Sequence, residues 1–270
     1  MLPTGKLLGG APANFAYHVN DLGISATVVS SVGNDASGDE IVERVWKHLG
    51  MDSSFIEVTP NYPTGTVGVT LNDNGAPSYE IFENVAWDHI QLSVRLKYLL
   101  SSLKAVCFGT LAQRSSQSRA TILSVLDGTP GDCLRVFDIN LRQQYFTRDI
   151  VVASLKRANV LKLNDEELPR VTEMLGIAGD DVFCLNRIRE IYNLSLVALT
   201  RGANGSLLIR SGEQSEHPGI PTKVVDTIGA GDAFTAAMVV GLLKGDELES
   251  ISEMANCRAA QVCSHSGAVP

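Results

Sequence analysis

The fold is decided by the stretch Asp226-Thr227-Ile228-Gly229-Ala230-Gly231-Asp232-Ala233-Phe234. Its two glycines predict a turn in which the backbone comes close to a ligand, and the turn opens a helix. The start of a helix offers unpaired N–H groups and the positive end of the helix dipole, and both favour an anion. A carboxylate at that position, Asp232, can accept a proton from a hydroxyl group that attacks the anion. The stretch therefore predicts phosphoryl transfer to an alcohol.

A capped helix start that packs tightly on a sheet is the alternative interpretation, because Ala233, Ala236 and Ala237 are all small. The glycine spacing does not complete the dinucleotide-binding pattern, and the chain has no Gly-x-x-x-x-Gly-Lys-Ser/Thr motif. An anion at this turn thus needs another class of phosphate-binding loop.

Composition limits the class of protein. A chain of 270 residues that is 44% hydrophobic suits one large α/β domain, here residues 1–270. The net charge of −8, with scattered basic residues, indicates no nucleic-acid partner. No apolar run approaches the ~20 residues that span a bilayer, so we expect no membrane partner. Five cysteines without a Cys-x-x-Cys pair favour reduced thiols and a cytoplasmic location.

Short apolar runs alternate with helical stretches, which predicts a largely parallel sheet with helices on both faces. The predicted strands are 27–32, 105–108, 135–137, 160–163, 196–199 and 206–209. The predicted helices are 14–21, 39–49, 116–126, 150–157, 181–192, 232–243 and 247–263.

A predicted hairpin interrupts this alternation. Residues 66–72 and 78–83 have strand-like patterns, and the segment between them contains Asn74-Gly75, a strong hairpin turn signal. We interpret residues 64–84 as a small β flap, or lid, beside the main sheet. An edge hairpin without a role is the alternative.

A second motif, Gly9-Gly10-Ala11-Pro12-Ala13-Asn14, precedes a helix near the amino end. It places backbone amides and one carboxamide at a helix entrance, and an amide that both donates and accepts suits sugar hydroxyls. The alternative is a flexible turn in which Asn14 is the N-cap.

Together, these two stretches resemble the paired signatures of the PfkB (ribokinase-like) family of carbohydrate kinases. The similarity extends over nearly all of the chain, and it is strongest to fructokinases in residues 9–16, 109–114, 138–142 and 161–167. The resemblance implies a ribokinase-like three-layer α/β/α sandwich, with a mainly parallel sheet and a small β lid.

The implied activity is transfer of the γ-phosphate of ATP to a sugar hydroxyl, with fructose to fructose 6-phosphate as the leading reaction. One alternative is a sibling kinase that acts on ribose, 2-keto-3-deoxygluconate or a nucleoside. The other is a sugar- or nucleotide-binding protein whose catalysis is impaired.

The resemblance also implies roles for residues at the reacting centre. Asp232 matches the general base. The anion hole corresponds to Gly229, Ala230 and Gly231, and the substrate contacts correspond to Gly10, Asn14 and Arg142.

On the nucleotide side, the resemblance implies contacts at Thr200, Gly202 and Asn256. Asn164 and Glu167 match an Asn-x-x-Glu element that organises Mg²⁺ and phosphate through water. Asp226, together with tail residues 263–268, resembles a monovalent-cation site, which makes K⁺ a further candidate cofactor.

The residues themselves leave alternatives for these segments. Asp138, Asn140 and Arg142 alternate after a strand, which predicts that they converge at its carboxyl end, and a solvated loop is the alternative. Asn164 and Glu167 also fit a capping box. Asn204-Gly205 also fits a tight hairpin.

The resemblance implies an opening strand that ends in a sugar-binding acidic residue before Gly9, and we expect that strand to be missing from this sequence. A homodimer through the lid is expected by analogy. The five histidines show no ligand spacing, so we expect each to be a surface or packing residue.

Overall fold

A computed structural model describes residues 9–43, 45, 49–71 and 77–269 of the chain. Short strands form a main sheet and two smaller strand pairs in these residues. The strands in these ranges are β1 (Ser30–Gly33), β2 (Ile56–Thr59), β3 (Val67–Leu71), β4 (Pro77–Ile81), β5 (Ala105–Phe108), β6 (Leu134–Asp138), β7 (Val160–Asn164), β8 (Leu196–Thr200), β9 (Ser206–Arg210) and β10 (Glu213–His217).

Helices surround these strands. The α-helices of the described part are α1 (Ala11–Asp21), α2 (Ala36–Glu43), α3 (Val94–Leu100), α4 (Ser116–Gly128), α5 (Arg148–Leu155), α6 (Glu167–Leu175), α7 (Asp181–Ile191), α8 (Ala230–Lys244) and α9 (Leu248–Cys263). Single 3₁₀ turns span Ala86–His89, Leu111–Arg114 and Gly202–Asn204.

Within the described part of the chain, the main sheet has six strands in the order β10-β9-β8-β7-β6-β5. Strands β5 to β8 run parallel, while β9 and β10 are antiparallel additions at one edge. The predicted parallel sheet is therefore confirmed for its central strands, and their carboxyl ends meet at one edge, where open α/β sheets bind ligands.

Helices cover both faces of this sheet, so its strands are apolar on both sides. Leu161 and Leu163 of β7 pack into one core with α5, α6 and α7. Val160 of the same strand packs into the other core, with α8 and α9. This arrangement is the predicted three-layer α/β/α sandwich.

Two smaller sheets lie outside the main sheet in the described residues. β1 and β2 form a parallel pair. β3 and β4 form the predicted hairpin, whose register runs from Val67 opposite Ile81 to Leu71 opposite Pro77. The predicted turn residues 72–76 lie outside the described residues.

A buried arginine connects the hairpin to the main sheet. Arg114, in the turn after β5, forms an ion pair with Asp88 at 2.8 Å and donates through Nη2 to the carbonyl of Phe82. Its guanidinium lies over the rings of Trp87 and Tyr145, at 4.1 and 4.6 Å from their centroids. This packing holds the flap at the carboxyl edge of the sheet.

Several elements differ from the sequence-based prediction. The predicted strand 27–32 is displaced to β1, and Thr27 forms only an isolated bridge with Asp52. The prediction lacked β2, β10, α3 and α6. Strand β10 was missed because its sequence, Glu-Gln-Ser-Glu-His, is polar and lies at the edge of the sheet.

Gly205, between β8 and β9, provides a test of this chain path. It has φ +77°, and a Cβ there would clash with the backbone of His217 and Gly219. Gly212 has φ +74° with open space around it. Gly212→Ala should cost roughly 1–2 kcal/mol of unfolding free energy, from the left-handed conformation alone. Gly205→Ala should cost at least about 2 kcal/mol more because backbone atoms must move.

Chemical denaturation of both variants checks this expectation. Equal losses of unfolding free energy in the two variants would contradict the described path of the β8–β9 connection.

Candidate active site

The glycine turn at the carboxyl edge leads directly into α8. Gly229 is the N-cap residue of α8, with φ +80°, and the helix begins at Ala230, two residues before the predicted start. Asp232 therefore lies inside the first turn, whose N–H groups have no partner within the helix. The turn can accept an anion next to a carboxylate.

Asp232 is held by the second sequence motif. Asn14 Nδ2 donates to Asp232 Oδ2 at 2.7 Å, although 218 residues separate the two. Asn14 is buried inside α1, whose N-cap is Gly10, so the interpretation of Asn14 as an N-cap is wrong. The helix begins earlier because Pro12 fits its first turn.

Burial raises the pKa of Asp232 to about 6. The hydrogen bond from Asn14 lowers this pKa, the negative charge of Asp138 raises it, and the positive charges of Lys162 and Arg142 lower it. At neutral pH most of this carboxyl group is ionised, yet it binds a proton more readily than an ordinary aspartate. This is the property that a general base needs.

A buried ion pair lies beneath the turn. Lys162 Nζ donates to Asp138 Oδ1 at 3.2 Å, and both side chains are almost fully buried. Thr235 Oγ1 donates to Asp138 Oδ2 at 2.8 Å. A Cβ on Gly231 would lie 3.2 Å from Lys162 Nζ, so the ammonium group is adjacent to the turn.

Sequence reasoning missed Lys162. The signal was present, because a lysine in the apolar strand Val160-Leu161-Lys162-Leu163 has to be buried in a sheet covered on both faces. Burial lowers the pKa of Lys162, but the negative charges of Asp138 and Glu167 outweigh it, and the resulting pKa lies above the ordinary value. The group stays charged.

The predicted alternation of Asp138, Asn140 and Arg142 in an extended segment is wrong. Asp138 is buried under the turn, whereas Arg142 is exposed and donates to the carbonyl of Leu141. Asn140 has φ +50°, which breaks the extended conformation that alternation requires. Arg142 still acts electrostatically on Asp232.

Asn164 and Glu167 have the geometry of a capping box. Asn164 Oδ1 accepts from the backbone N–H of Glu167 at 2.8 Å, and Glu167 Oε2 accepts from the backbone N–H of Asn164 at 2.9 Å. Glu167 Oε1 accepts from the backbone N–H of Leu141 at 2.8 Å. Burial raises the pKa of Glu167, and the positive charge of Lys162 opposes that shift.

This geometry fits an indirect contact to Mg²⁺. Each oxygen of Glu167 already accepts one N–H and keeps a second lone pair, which suits a water molecule of a hydrated ion. The described residues contain no group of three or more histidine, cysteine or acidic side chains placed to hold a metal directly.

The residues predicted for the nucleotide lie at the ends of β8 and in α9. Thr200 ends β8, and Gly202 follows it in an exposed turn with φ +55°. Asn256 is buried, and its Nδ2 donates to Ser206 Oγ and to the carbonyl of Ser252, both at 2.8 Å. Asn256 therefore ties α9 to β9, and its nucleotide role stays a prediction.

Asp226 and the tail of the chain meet at the glycine turn. Asp226 Oδ1 accepts from the backbone N–H of Ile228, and Oδ2 accepts from that of Gly267, both at 3.0 Å. The backbone N–H of Val225 donates to the carbonyl of Cys263 at 2.8 Å. The structure thus brings together the two segments that were predicted for a K⁺ site.

The expectation for the histidines holds only in part. His217 accepts from Gly219, and His89 stacks on Tyr62, as packing residues do. His18 is fully buried in α1 and has polar partners at both ring nitrogens. His48 lies outside the described residues.

None of the described helices is long and apolar enough to cross a membrane.

A mainly parallel sheet with a glycine turn, a helix start and a half-buried carboxylate at its carboxyl edge defines a ribokinase-like phosphotransferase that acts on an alcohol group. Residues 4–270 match the pfkB family of carbohydrate kinases, and the chain belongs to this family. It is a sugar kinase.

Individual relatives agree with this assignment. The chain is 32% identical over 260 residues to a sugar kinase of Pyrococcus horikoshii, an alignment that covers 93% of this chain and 79% of the relative. It is 29% identical over 272 residues to an ATP-dependent 6-phosphofructokinase of Thermoanaerobacterium thermosaccharolyticum, covering 98% and 81%. It is 29% identical over 248 residues to a fructokinase of Salmonella typhimurium, covering 88% and 78%.

The fold agrees as well. The crystal structure of the uncharacterized Pyrococcus horikoshii sugar kinase in complex with ATP superimposes with a TM-score of 0.82 at 30% sequence identity, covering 100% of this chain and 88% of that one.

The ion pair under the turn predicts a thermodynamic coupling. Lys162→Met should lower the unfolding free energy by about 3–5 kcal/mol, because it leaves a buried carboxylate at Asp138 without its partner. Lys162→Met combined with Asp138→Asn should recover a large part of that loss. Urea denaturation of the two single variants and the double variant measures the coupling, and additive losses would contradict a direct interaction.

The raised pKa of Asp232 predicts that the base destabilises the folded protein. Since the folded state holds this proton up to about pH 6, ionisation costs stability as pH rises from the unfolded-state pKa through that value. Asp232→Asn avoids this cost, and its amide oxygen still accepts from Asn14. The variant should therefore melt at a higher temperature than wild type at pH 8.

Thermal melting between pH 4 and pH 8 measures this effect, with Asp132→Asn on the surface as the control. The gain should shrink towards pH 4. An unchanged or lower melting temperature for Asp232→Asn at pH 8 would show that ionisation of Asp232 does not destabilise the folded protein.

Proposed function

We propose that this kinase transfers the γ-phosphate of ATP to D-fructose and forms fructose 6-phosphate. The observation that carries the proposal is Asp232, which lies at the start of α8 directly after the glycine turn and is held by Asn14 from the opposite end of the chain. The fructokinase and ATP-dependent phosphofructokinase relatives support both reactants.

At the acceptor, Asn14 and Gly10 bind and orient the sugar. Asp232 takes the proton from the attacking hydroxyl group as the oxygen–phosphorus bond forms. Arg142 is exposed near this centre, and its positive charge would meet the sugar or the phosphate. Asn14 occupies one lone pair of Asp232 Oδ2, so the acceptor hydroxyl can donate to another lone pair of the same carboxylate.

At the donor, the amides of Gly229, Ala230 and Gly231 stabilise the negative charge of the transferring phosphoryl group. Thr200 and Gly202 would contact the nucleotide, and Asn256 would lie on the adenine side of it. Bound Mg²⁺ would supply the positive charge that phosphoryl transfer needs, with Glu167 as its partner through water, and Asn164 Nδ2 would donate to the nucleotide phosphates. A K⁺ ion would lie between Asp226 and the tail.

A phosphorylated acceptor, fructose 6-phosphate, is the second candidate, because the phosphofructokinase relative covers 98% of this chain. A sibling specificity for ribose, 2-keto-3-deoxygluconate or a nucleoside uses the same centre. A binding protein without turnover is disfavoured, because the base, the glycine turn and the Asn164–Glu167 pair are all in place.

The assembly that we propose is a homodimer through the flap. Val67 of β3 is 53% exposed and Phe82, just after β4, is 42% exposed, so the flap presents apolar surface.

A coupled assay of ADP release over a panel of acceptors tests the substrate. The panel holds fructose, fructose 6-phosphate, ribose, 2-keto-3-deoxygluconate and adenosine, with ATP and Mg²⁺ in excess. We expect the largest kcat/KM with fructose. A larger value with another acceptor would replace fructose, and binding without ADP release would reject the kinase proposal.

Asp232→Asn tests the assigned base. Its kcat on the best acceptor should fall at least ~100-fold with little change in ATP binding, since the lost group acts on the proton of the hydroxyl. Asp132→Asn, the same substitution at an exposed ion pair, should keep the wild-type rate. A rate for Asp232→Asn within a few-fold of wild type would refute the assignment.

A further inference from the structure

Helix α1 directs two polar side chains to the centre of the molecule, one turn apart. Asn14 donates to Asp232, as described above. Four residues later, on the same face of the helix, His18 is completely buried, and its Nε2 lies 3.0 Å from the carbonyl oxygen of Ala268.

The tail residues that meet His18 also touch the glycine turn. A Cβ on Gly229 would overlap the side chain of Ala268, so the two residues are in close contact. The backbone N–H of Gly267 donates to Asp226 Oδ2 at 3.0 Å. The tail is thus packed between α1 on one side and the turn on the other.

Helix α9 fixes the orientation of the His18 ring. Arg258 Nε and Nη2 lie 3.2 and 2.9 Å from His18 Nδ1, and Arg258 also pairs with Asp21 of α1. A guanidinium group only donates, so Nδ1 must carry the lone pair. The proton of the neutral ring is then on Nε2, where it is donated to Ala268.

The neutral ring is also the electrostatically favoured form. Burial lowers the pKa of His18 to about 4, and the positive charge of Arg258 lowers it in the same direction. The Ala268 carbonyl and Asp21 oppose this shift. The groups that face His18 from α1, α9 and the tail therefore support one tautomer at neutral pH.

These contacts connect the acceptor side of the active site to its phosphate side. Asn14 of α1 bonds to Asp232, and His18 of the same helix bonds to Ala268 of the tail. The neighbouring Gly267 bonds to Asp226, which precedes the glycine turn and Asp232 in the chain. Two hydrogen bonds from one helix therefore join the acceptor side to the phosphate side, in addition to the apolar packing of Val19 against α8.

We propose that His18 is a positioning residue, which aligns the glycine turn with the acceptor-binding helix by holding the tail between them. The proposal rests on the proposed kinase function for its effect on turnover. Misalignment of reacting groups lowers the rate of the chemical step more than it weakens the binding of either substrate.

Three variants test this role. His18→Leu fills a similar space but removes both hydrogen bonds. His18→Gln keeps an N–H for Ala268 and an oxygen for Arg258. Asn20→Ala is the control on the same helix, because Asn20 bonds only within α1 and to the nearby Ala26 in the described hydrogen bonds.

With ATP and fructose, or the best acceptor of the panel, His18→Leu should lower kcat by about 10- to 100-fold with each KM changed less than about threefold. His18→Gln should recover most of kcat. Asn20→Ala should lower the melting temperature and keep kcat. Should His18→Leu fail to fold, Arg258→Met, which frees the ring and also removes the pair with Asp21, should lower kcat in the same direction by a smaller factor.

Hydrogen–deuterium exchange supplies a readout that needs no substrate. Residues 226–232 and 264–268 should exchange faster in His18→Leu, or in Arg258→Met, than in wild type and Asn20→Ala. A kcat within about threefold of wild type, an equal loss in Asn20→Ala, or unchanged exchange in these segments would overturn the proposal. Faster exchange without activity on any acceptor would instead support the positioning role and reject the kinase function.

Discussion

The buried positive charge of Lys162 is the constraint on which the site depends. Three carboxylates, Asp138, Glu167 and Asp232, act electrostatically on this single ammonium group. Without it, the interior of the carboxyl edge would hold unpaired acidic groups, which would take up protons or stay exposed to water. With it, Asp138 stays paired. Burial raises the pKa of Asp232 to about 6, the hydrogen bond from Asn14 opposes that rise, and the charge of Lys162 adds to this opposition. The ammonium group of the same lysine also lies next to Gly231 of the glycine turn.

The fold brings this charge balance about by simple means. Parallel strands end at one edge, so β6 and β7 place Asp138 and Lys162 side by side. Helix α8 crosses above them and adds Asp232 and Thr235, which are one turn apart. Helix α1 closes the site through Asn14, and Arg114 holds the flap at the same edge. Each group comes from a different element, and the geometry of the site therefore depends on the packing of the whole sandwich rather than on one loop.

Much of this architecture could be predicted from the sequence. The apolar strands, the glycine turn and the hairpin each have strong local signals, and their combination resembles one family. The contacts between distant residues could not be predicted, because a local pattern does not reveal which partner a buried side chain meets. Lys162 and His18 show this limit, since each is a polar residue whose role depends on elements far away in the chain. Asn140 shows another limit, because its left-handed backbone breaks the extended alternation expected for Asp138 and Arg142.

In the proposed reaction, an ionised Asp232 is the base for transfer to a sugar hydroxyl. The most direct test is the pH dependence of kcat/KM for the acceptor, which reports ionisations of the free enzyme. With Asp232 as the base, kcat/KM should rise with pH through a single ionisation near the Asp232 pKa of about 6 and reach a plateau at neutral pH. A profile that stays flat from pH 5 to pH 8, measured where the enzyme remains folded, would contradict this role of Asp232.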